Sequence, residues 1–289
     1  MLYKYNLNKT NNYRSGEMKI FRFVFYTFIV WLLTSPLFSQ GIIIDHNCTD
    51  LSKISDSSIA QVRKLIKLHY AHTSHGQQLI EGMKRLADPS LQVYDPRLKY
   101  TFQYNELPNS PDLCIMDGQL NERYPTPEHY WRKSGIALTR EVLDTYKTIN
   151  VSMFSWCREL DQYTEADVEE YLKAISKLEE EYPNVIFVYM TANAQNKNYM
   201  GHNRYLRNEQ IRDYCRKNNK ILYDFADLDA WFNGEKATYK DKGRDIPVEH
   251  PKFKGNECMH TSFLSCETKA RALWWMLAKI VEQISKSDN

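Results

Sequence analysis

Short apolar runs alternate with amphipathic segments along residues 64–284, and this alternation constrains the fold more than any other feature of the chain. The run NVIFVYMT at 184–191 is almost continuously apolar, as expected for a central parallel strand that is covered on both faces. It follows the clearest helical pattern, residues 164–183, where Thr164 can cap the helix and Asp167 stands three positions further on. Strands that alternate with helices imply a parallel sheet with helices on both sides, which is an α/β fold.

The same patterns predict the other elements of this fold. Strands are predicted at 64–72, 150–156 and 220–228, and helices at 76–87, 134–147, 208–219 and 268–284. Residues 88–130 contain six prolines and scattered aromatic residues, so an irregular excursion is expected there, with a short extended piece at 112–116.

Residues 1–39 have the pattern of an export leader. A positively charged start after Met18 precedes an apolar stretch, and small or polar residues near Ser39 offer a cleavage point. We therefore expect Met18 as the true start, a secreted or periplasmic protein without a membrane span after cleavage, and a single domain over residues 40–289. An uncleaved membrane anchor is the alternative.

The charge of the remaining chain argues against a nucleic-acid surface. Residues 1–39 hold five basic residues and one acidic residue, so 33 basic and 35 acidic residues remain, a net charge of −2 against +2 for the whole chain. All six cysteines follow residue 40, and an even number in an exported chain permits disulfides. Cys258 and Cys266 are close in sequence and flank a loop, so they are the preferred pair. No cysteine spacing resembles a metal or haem site, and no cofactor is expected.

Polar residues follow the predicted strands, and ligands of such sheets bind beyond the carboxyl ends of the strands. Ser74 lies where the first strand gives way to a helix, so its N–H and the helix dipole could stabilise an oxyanion, although capping the helix is the simpler interpretation. Glu257 stands three residues before His260, just ahead of the last helix. A serine nucleophile needs a base, and the base needs an acceptor that fixes its tautomer, which His260 and Glu257 could supply.

Together these features resemble the SGNH (GDSL-like) hydrolases, and in particular a set of secreted bacterial SGNH-like proteins. The resemblance lies in the segments AHTSHGQQL, FSWCREL, YPNVIFVYMT, IRDYC, LYDFADLD and CMHTSFLSCETKARALWWMLAKI. It runs from about residue 64 to residue 280 and is weakest across 88–130. The resemblance implies a flavodoxin-like, three-layer α/β/α fold and the hydrolysis of esters, often acyl groups such as acetyl on carbohydrates.

Carried over position by position, the resemblance makes Ser74 the nucleophile, His260 the base and Glu257 the residue that orients the base. The usual acid in such proteins is Asp, to which Glu is chemically equivalent. Gly118 is the candidate match for a glycine that donates to the oxyanion. The expected partner is a small-molecule or glycan ester, with no nucleic acid and no metal.

The asparagine that usually completes the oxyanion hole has no clean match in this chain. The strand end reads Trp156-Cys157-Arg158-Glu159, where related proteins more often show Trp-Cys-Gly-Gln, and Asn193 stands where relatives tend to have His. Asn193, Glu159 and Trp156 are the candidates for oxyanion or substrate binding. Further aromatic side chains that could stack on sugar rings at this rim, if they are not simply packed, are Tyr124, Tyr130 and Trp131.

Several alternatives stay open at this point. His69, His72 and His75 are spaced by three and could hold a metal, although positions three apart on a strand face opposite ways. Cys157 beside Arg158 could be a thiol nucleophile, because a nearby cation favours the thiolate. The chain could also be a non-catalytic carbohydrate-binding or surface protein on the same scaffold. A glycoside hydrolase is the last alternative, with Asp224, Asp227 or Glu159 as its carboxylates.

Overall fold

Among the described residues, a parallel sheet of seven strands forms the centre of the fold. A computed structural model describes residues 41–103, 112–195, 197 and 199–287, so the predicted leader at 1–39 lies outside the described residues. The strands are β1 Ile43–Ile44, β2 Lys67–His72, β3 Thr101–Gln103, β4 Cys114–Asp117, β5 Val151–Ser155, β6 Ile186–Met190 and β7 Ile221–Tyr223. Their order is β1-β7-β6-β5-β2-β4-β3, and each neighbouring pair is parallel.

Five of these strands have the order of a flavodoxin-like sheet. The sequence β4-β2-β5-β6-β7 corresponds to the doubly wound order 2-1-3-4-5, with β3 and β1 added at the two edges. The chain places β4 on one side of β2 and then β5 on the other side. The carboxyl end of β2 is therefore the topological switch point, where this class of fold leaves a crevice.

Helices cover both faces of the sheet, which confirms the predicted three-layer α/β/α architecture. They are α1 Asp56–Leu65, α2 Gln77–Leu86, α3 Gly135–Thr145, α4 Glu165–Glu181, α5 Tyr199–Lys217, α6 Phe225–Ala230 and α7 Phe263–Ser287. Both α1 and α2 pack on α7, whereas α4 packs on α5. Among the described residues, no helix combines the length and the apolar character needed to cross a lipid bilayer.

Short elements connect this frame. Single 3-10 turns occupy His46–Cys48, Leu51–Lys53, Pro127–His129, Glu159–Asp161 and Pro251–Phe253. After α6 the chain forms two small antiparallel pairs, in which β8 Trp231–Phe232 pairs with β9 Glu235–Lys236 and β10 Thr238–Asp241 pairs with β11 Arg244–Pro247.

The helix predicted at 164–183 is confirmed together with its cap. The Thr164 hydroxyl accepts the N–H of Asp167 at 3.2 Å, and the Asp167 carboxylate accepts the N–H of Thr164 at 2.9 Å. This capping box satisfies two donors that a helix start leaves without partners. The apolar stripe of α4 is buried against the sheet and consists of Val168, Tyr171, Leu172, Ile175 and Leu178.

The predicted strand at 220–228 is wrong beyond Tyr223. Asp224 follows the strand, its carboxylate accepts the N–H of Asp227, and helix α6 begins at Phe225. An acceptor side chain that satisfies an N–H at a helix start favours helix over continued strand, and here it outweighs the apolar run.

Other predicted bounds move by a few residues. Helix α5 begins at Tyr199 rather than 208, and α7 begins at Phe263 rather than 268. Strand β2 begins at Lys67, because α1 still occupies the preceding residues. The extended piece predicted at 112–116 is confirmed as β4.

The predicted disulfide between Cys258 and Cys266 is not formed. All six cysteines lie among the described residues, and none of them takes part in a disulfide. The two thiols are nevertheless in hydrogen-bond contact. Their closeness in sequence therefore predicted that Cys258 and Cys266 are neighbours, but the disulfide predicted from it is not formed.

Candidate functional site

The ends of β2 and β5 bring Ser74 and Cys157 together at the switch point, the place called the crevice below. His72 of β2 is the register partner of Ser155 in β5, and each strand ends there. Ser74 and Cys157 both lie two residues beyond this pair, so they leave the sheet side by side. The Ser74 Oγ atom lies 3.3 Å from the Cys157 Sγ atom, and both side chains are partly exposed.

Helix α2 starts directly over the end of β2 because Gly76 has no side chain. A Cβ atom at this position would lie 2.2 Å from the Cβ of His72, which no real packing allows. The helix has no side-chain cap, so Ser74 does not serve as the cap that the simpler interpretation of the sequence expected. Its hydroxyl is turned toward Cys157 instead.

His75 lies between the thiol and an amide. Its Nδ1 atom lies 2.8 Å from Cys157 Sγ, and its Nε2 atom lies 2.8 Å from Gln195 Oε1. The Gln195 amide nitrogen donates to the His260 carbonyl at 2.9 Å, so its oxygen is the atom that faces His75. An oxygen there requires a hydrogen on Nε2, which leaves Nδ1 as an acceptor for the thiol proton.

Burial keeps the His75 ring neutral. The side chain is only 1% exposed, and desolvation lowers its pKa below the ordinary value, although the Gln195 hydrogen bond opposes this effect. A neutral imidazole whose Nε2 proton is held by an acceptor has the protonation state of a general base. In the sequence, His75 was a candidate only as a metal ligand, and Gln195 was not a candidate. Their positions in the sequence could have identified both, since His75 directly follows Ser74 and Gln195 stands two residues after Asn193.

His260 lies beside His75 in an exposed loop. The two ring centroids are 5.2 Å apart, and partial burial, His75 and Arg158 together lower the pKa of His260. Among the described residues the His260 ring makes no hydrogen bond to Ser74 or to Glu257. The structure thus places His260 at the same crevice as Ser74 without joining the two side chains.

The loop that carries His260 is strained and braced. Met259 and His260 have φ angles of 39° and 73°, a region that costs energy for residues other than glycine. The Met259 carbonyl accepts the Gln78 amide at 2.7 Å, and the His260 carbonyl accepts the Gln195 amide. The Gln78 oxygen is in turn held by the buried ammonium of Lys269 at 2.7 Å. Two side-chain amides therefore fix the backbone that presents His260.

Glu257 has a different partner from the one expected. Its Oε2 atom accepts the N–H of Phe263 at 2.8 Å at the start of α7, and the side chain is exposed. In this position the carboxylate caps the last helix and does not orient the His260 ring.

The residues expected to bind an oxyanion mainly brace the crevice. The Gly118 N–H donates to the Tyr70 carbonyl at 2.9 Å, and Asn193 Nδ2 donates to the Cys157 carbonyl. Glu159 Oε2 accepts the Cys157 N–H at 2.7 Å, and burial raises the pKa of this carboxyl group. Within the described residues, acceptors are missing instead for the N–H groups of Ser74, His75 and Gly76 at the start of α2. These three donors are the better candidates for an oxyanion.

Most of the predicted rim aromatics belong to the core. Tyr130, Trp131 and Trp156 are at most 2% exposed, and the Trp156 indole donates to the Met190 carbonyl at 2.8 Å. Tyr124 is 39% exposed, and its ring contacts His72 edge-on. Of the four aromatic side chains, Tyr124 is therefore the one that a sugar ring could reach.

The two aspartates of the glycosidase alternative are held by other side chains, whereas its third candidate, Glu159, accepts the Cys157 N–H. Asp224 accepts two hydrogen bonds from the Arg212 guanidinium, both 2.6 Å long, and is 4% exposed. Asp227 accepts from His46 and from the Trp231 indole. Neither carboxylate faces the crevice at Ser74, so a paired-carboxylate site does not form there.

The three histidines spaced by three take separate partners. His69 contacts Ser152, His72 contacts Asp117, and His75 contacts Cys157, so they form no common ligand set. The group in the described residues with the geometry for a metal ion is Asp45, His46 and Asp227, whose ligand atoms lie within 4.8 Å of one another. This group follows β1 and β7 at the edge of the sheet.

Acid is expected to destabilise the fold through His69. This ring is fully buried, and desolvation lowers its pKa from 6.5 to about 4. Between pH 6.5 and about 4, the unfolded chain therefore binds a proton at His69 that the folded chain does not bind. The stability that is present above pH 6.5 is lost as the pH falls toward 4. The loss amounts to about 3 kcal/mol. Urea unfolding at several pH values measures it, and a His69→Gln variant with an unchanged pH slope would contradict the assignment.

No protein-family model matches this chain, and no curated protein matches it. The fold and the site together define an α/β protein with a flavodoxin-like strand order, whose switch-point crevice holds Ser74, His75, Cys157, Gln195 and His260.

Proposed function

We propose that this chain is a carboxylic ester hydrolase that transfers an acyl group from an ester to a side chain of the crevice and then to water. The observation that carries the proposal is the contact of two nucleophilic side chains, Ser74 and Cys157, with each other and of Cys157 with the neutral base His75. Acyl transfer requires a nucleophile, a base within hydrogen-bond reach and donors for an oxyanion. The three N–H groups at the start of α2 supply candidate donors beside this pair.

The SGNH-like resemblance supports the same reaction class and extends it to a substrate. Its segments include AHTSHGQQL and FSWCREL, the two strand ends that meet in the crevice. The resemblance assigns the nucleophile to Ser74, the base to His260 and the substrate to acyl groups, such as acetyl, on carbohydrates. The leader pattern of residues 1–39 supports an exported enzyme that meets such glycans outside the cytoplasm or in the periplasm.

Acetate release from acetylated xylan by the purified chain tests this proposal. The Ser74→Ala/Cys157→Ala double variant removes both nucleophiles and is expected to lose at least about 1,000-fold in rate, because the remaining donors and binding groups catalyse weakly on their own. Ser57→Ala, which changes an exposed serine of α1, is the matched control and should keep the full rate.

Three results would contradict the proposal or replace it. An active double variant would move the chemistry away from the crevice. Binding of the glycan without acetate release, at equal strength in both proteins, would favour the non-catalytic carbohydrate-binding alternative. Reducing sugar without acetate would favour a glycoside hydrolase, which the side-chain partners of Asp224 and Asp227 argue against.

A further inference from the structure

We propose that the atom that carries the acyl group is Cys157 Sγ, with His75 as its base and Gln195 as the residue that positions the base. This inference rests on the proposed ester hydrolysis and names its nucleophile. It assigns catalytic roles to the thiol and to His75, and a positioning role to Gln195.

The geometry carries this assignment because a continuous chain of hydrogen bonds joins a nucleophile, a base and an acceptor in the crevice. It runs from Cys157 Sγ to His75 Nδ1 and from His75 Nε2 to Gln195 Oε1, with 2.8 Å at each step. The same logic of a nucleophile, a base and a third group that orients the base recurs on unrelated folds. Gln195 suits the third role because its amide nitrogen is fixed by the His260 carbonyl, so its oxygen cannot turn away.

Among the described residues, Ser74 has no comparable chain of hydrogen bonds to a base. Within the part of the chain that the structure describes, the one hydrogen-bond partner of its hydroxyl is Cys157 Sγ, at 3.3 Å. The exposed His260 ring touches His75 rather than Ser74. A hydroxyl group without a base is a poor nucleophile at neutral pH, but it is a good donor to a thiolate. Ser74 is therefore assigned as the group that holds the sulfur in place.

The remaining cysteines set Cys157 apart. Burial raises the pKa of Cys48 to about 11 and also raises that of Cys215, so both stay protonated thiols. Cys114 is fully buried in β4. Cys157 is partly exposed, follows a strand at the switch point and faces a neutral imidazole nitrogen. Cys258 is also partly exposed, and its hydrogen bond with Cys266 lowers its pKa, but its neighbour is a thiol and not an imidazole. A partly exposed thiol beside a base is the arrangement of an activated nucleophile.

The proposed reaction balances with water as the second reactant. The Cys157 thiol gives its proton to His75 Nδ1, and the thiolate attacks the ester carbonyl carbon to form an S–C bond. The ester C–O bond then breaks, and the leaving alcohol takes the proton from His75. Water next gives a proton to His75 as it attacks the thioester. The S–C bond breaks, the carboxylic acid leaves, and the thiolate recovers the proton.

Single variants separate the two nucleophiles in an assay with p-nitrophenyl acetate under a reducing agent. Cys157→Ala is expected to lose at least about 1,000-fold in rate, as when the nucleophile of a triad is removed. Ser74→Ala is expected to lose about 10–100-fold, the effect of one hydrogen bond to a charged group. Mass spectrometry of the quenched reaction should locate the acetyl group on Cys157 in the wild-type chain and in Ser74→Ala. An acetyl group on Ser74, together with a Cys157→Ala variant that keeps the wild-type rate, would overturn the assignment.

Alkylation by iodoacetamide tests the thiol centre without any ester. Cys157 should be alkylated at pH 7, and both His75→Gln and Gln195→Leu should slow its reaction at least about tenfold. The partly exposed Cys258 is the internal control, since its reaction should not change. Melting curves show which variants are folded, and Gln195→Leu keeps His75 itself while it removes the oxygen that accepts the Nε2 proton.

The two proposals fail in different ways. If the wild-type chain cleaves no ester but Cys157 alkylation depends on His75 and Gln195, the thiol centre stands and the ester hydrolysis falls. If esters are cleaved but alkylation is insensitive to both variants, the hydrolysis stands and the assignment of the nucleophile falls.

Discussion

The Lys269→Met variant is expected to lose about 3–5 kcal/mol of unfolding free energy. The Lys269 ammonium is fully buried and lies 2.6 Å from the Asp229 carboxylate, which is 1% exposed. Removing the cation leaves the buried Asp229 carboxylate without its ion-pair partner. An unpaired buried charge is costly because it has lost its hydration. Chemical denaturation at pH 7 measures the loss.

Two further variants make this expectation specific. Lys279→Met removes another ammonium of α7, but its ion pair with Glu282 is partly open to solvent, with side-chain exposures of 36% and 33%, so a change below about 1 kcal/mol is expected. Adding Asp229→Asn to Lys269→Met removes the orphaned charge while an amide oxygen can still accept the Ala194 N–H. The double variant should therefore be more stable than the single one, and equal losses would refute the unpaired-charge explanation.

The loss of Lys269 should also reach the crevice. Its ammonium holds the Gln78 oxygen, and the Gln78 amide nitrogen holds the Met259 carbonyl in the strained loop that carries His260. The same substitution should therefore loosen this loop, although Lys269 itself is a buried residue of α7.

Arg212→Met is the second substitution with a large expected effect, again about 3–5 kcal/mol of unfolding free energy. The Arg212 guanidinium makes two 2.6 Å hydrogen bonds to Asp224, whose carboxylate also accepts the Thr191 hydroxyl at 2.9 Å. Without the cation, a buried carboxylate at the start of α6 keeps its charge and loses its strongest donor. Thermal and urea unfolding should both report the loss.

Arg216→Met is the matched control on the same helix. Arg216 faces solvent and lies 3.5 Å from Asp213, which is also exposed, so its removal should cost less than about 1 kcal/mol. Similar losses for Arg212→Met and Arg216→Met would show that the bidentate pair contributes little to stability. A folded Arg212→Met variant with full ester hydrolysis would in addition show that the Arg212–Asp224 pair takes no part in the reaction.

Regular elements were predictable where local pattern and tertiary environment agree. The apolar run that became β6 is buried on both faces, and the helix capped by Thr164 shows its predicted stripe. The strand predicted at 220–228 failed because periodicity does not register that the Asp224 side chain can satisfy a backbone N–H. Local hydrogen-bond chemistry decided that boundary.

The candidate site was predictable in location and less so in its connections. Residues at the ends of parallel strands meet at one edge of the sheet, and the structure brings Ser74, Cys157 and Asn193 together there. Partners were harder to predict, because which atom a side chain faces depends on turn geometry. Glu257 turned to the start of α7, whereas His75 turned to Cys157.

By itself the sequence determined the α/β class, the order of most strands and helices along the chain, and the group of polar residues that follow the strands, since these depend on short-range periodicity and capping. The tertiary structure alone decided that β2 pairs with both β4 and β5, and that Cys157, His75 and Gln195 form a line. The physical reason is the range of the interactions. Hydrogen bonds between residues 82 and 120 positions apart depend on how the whole sheet is assembled, and no local pattern encodes them.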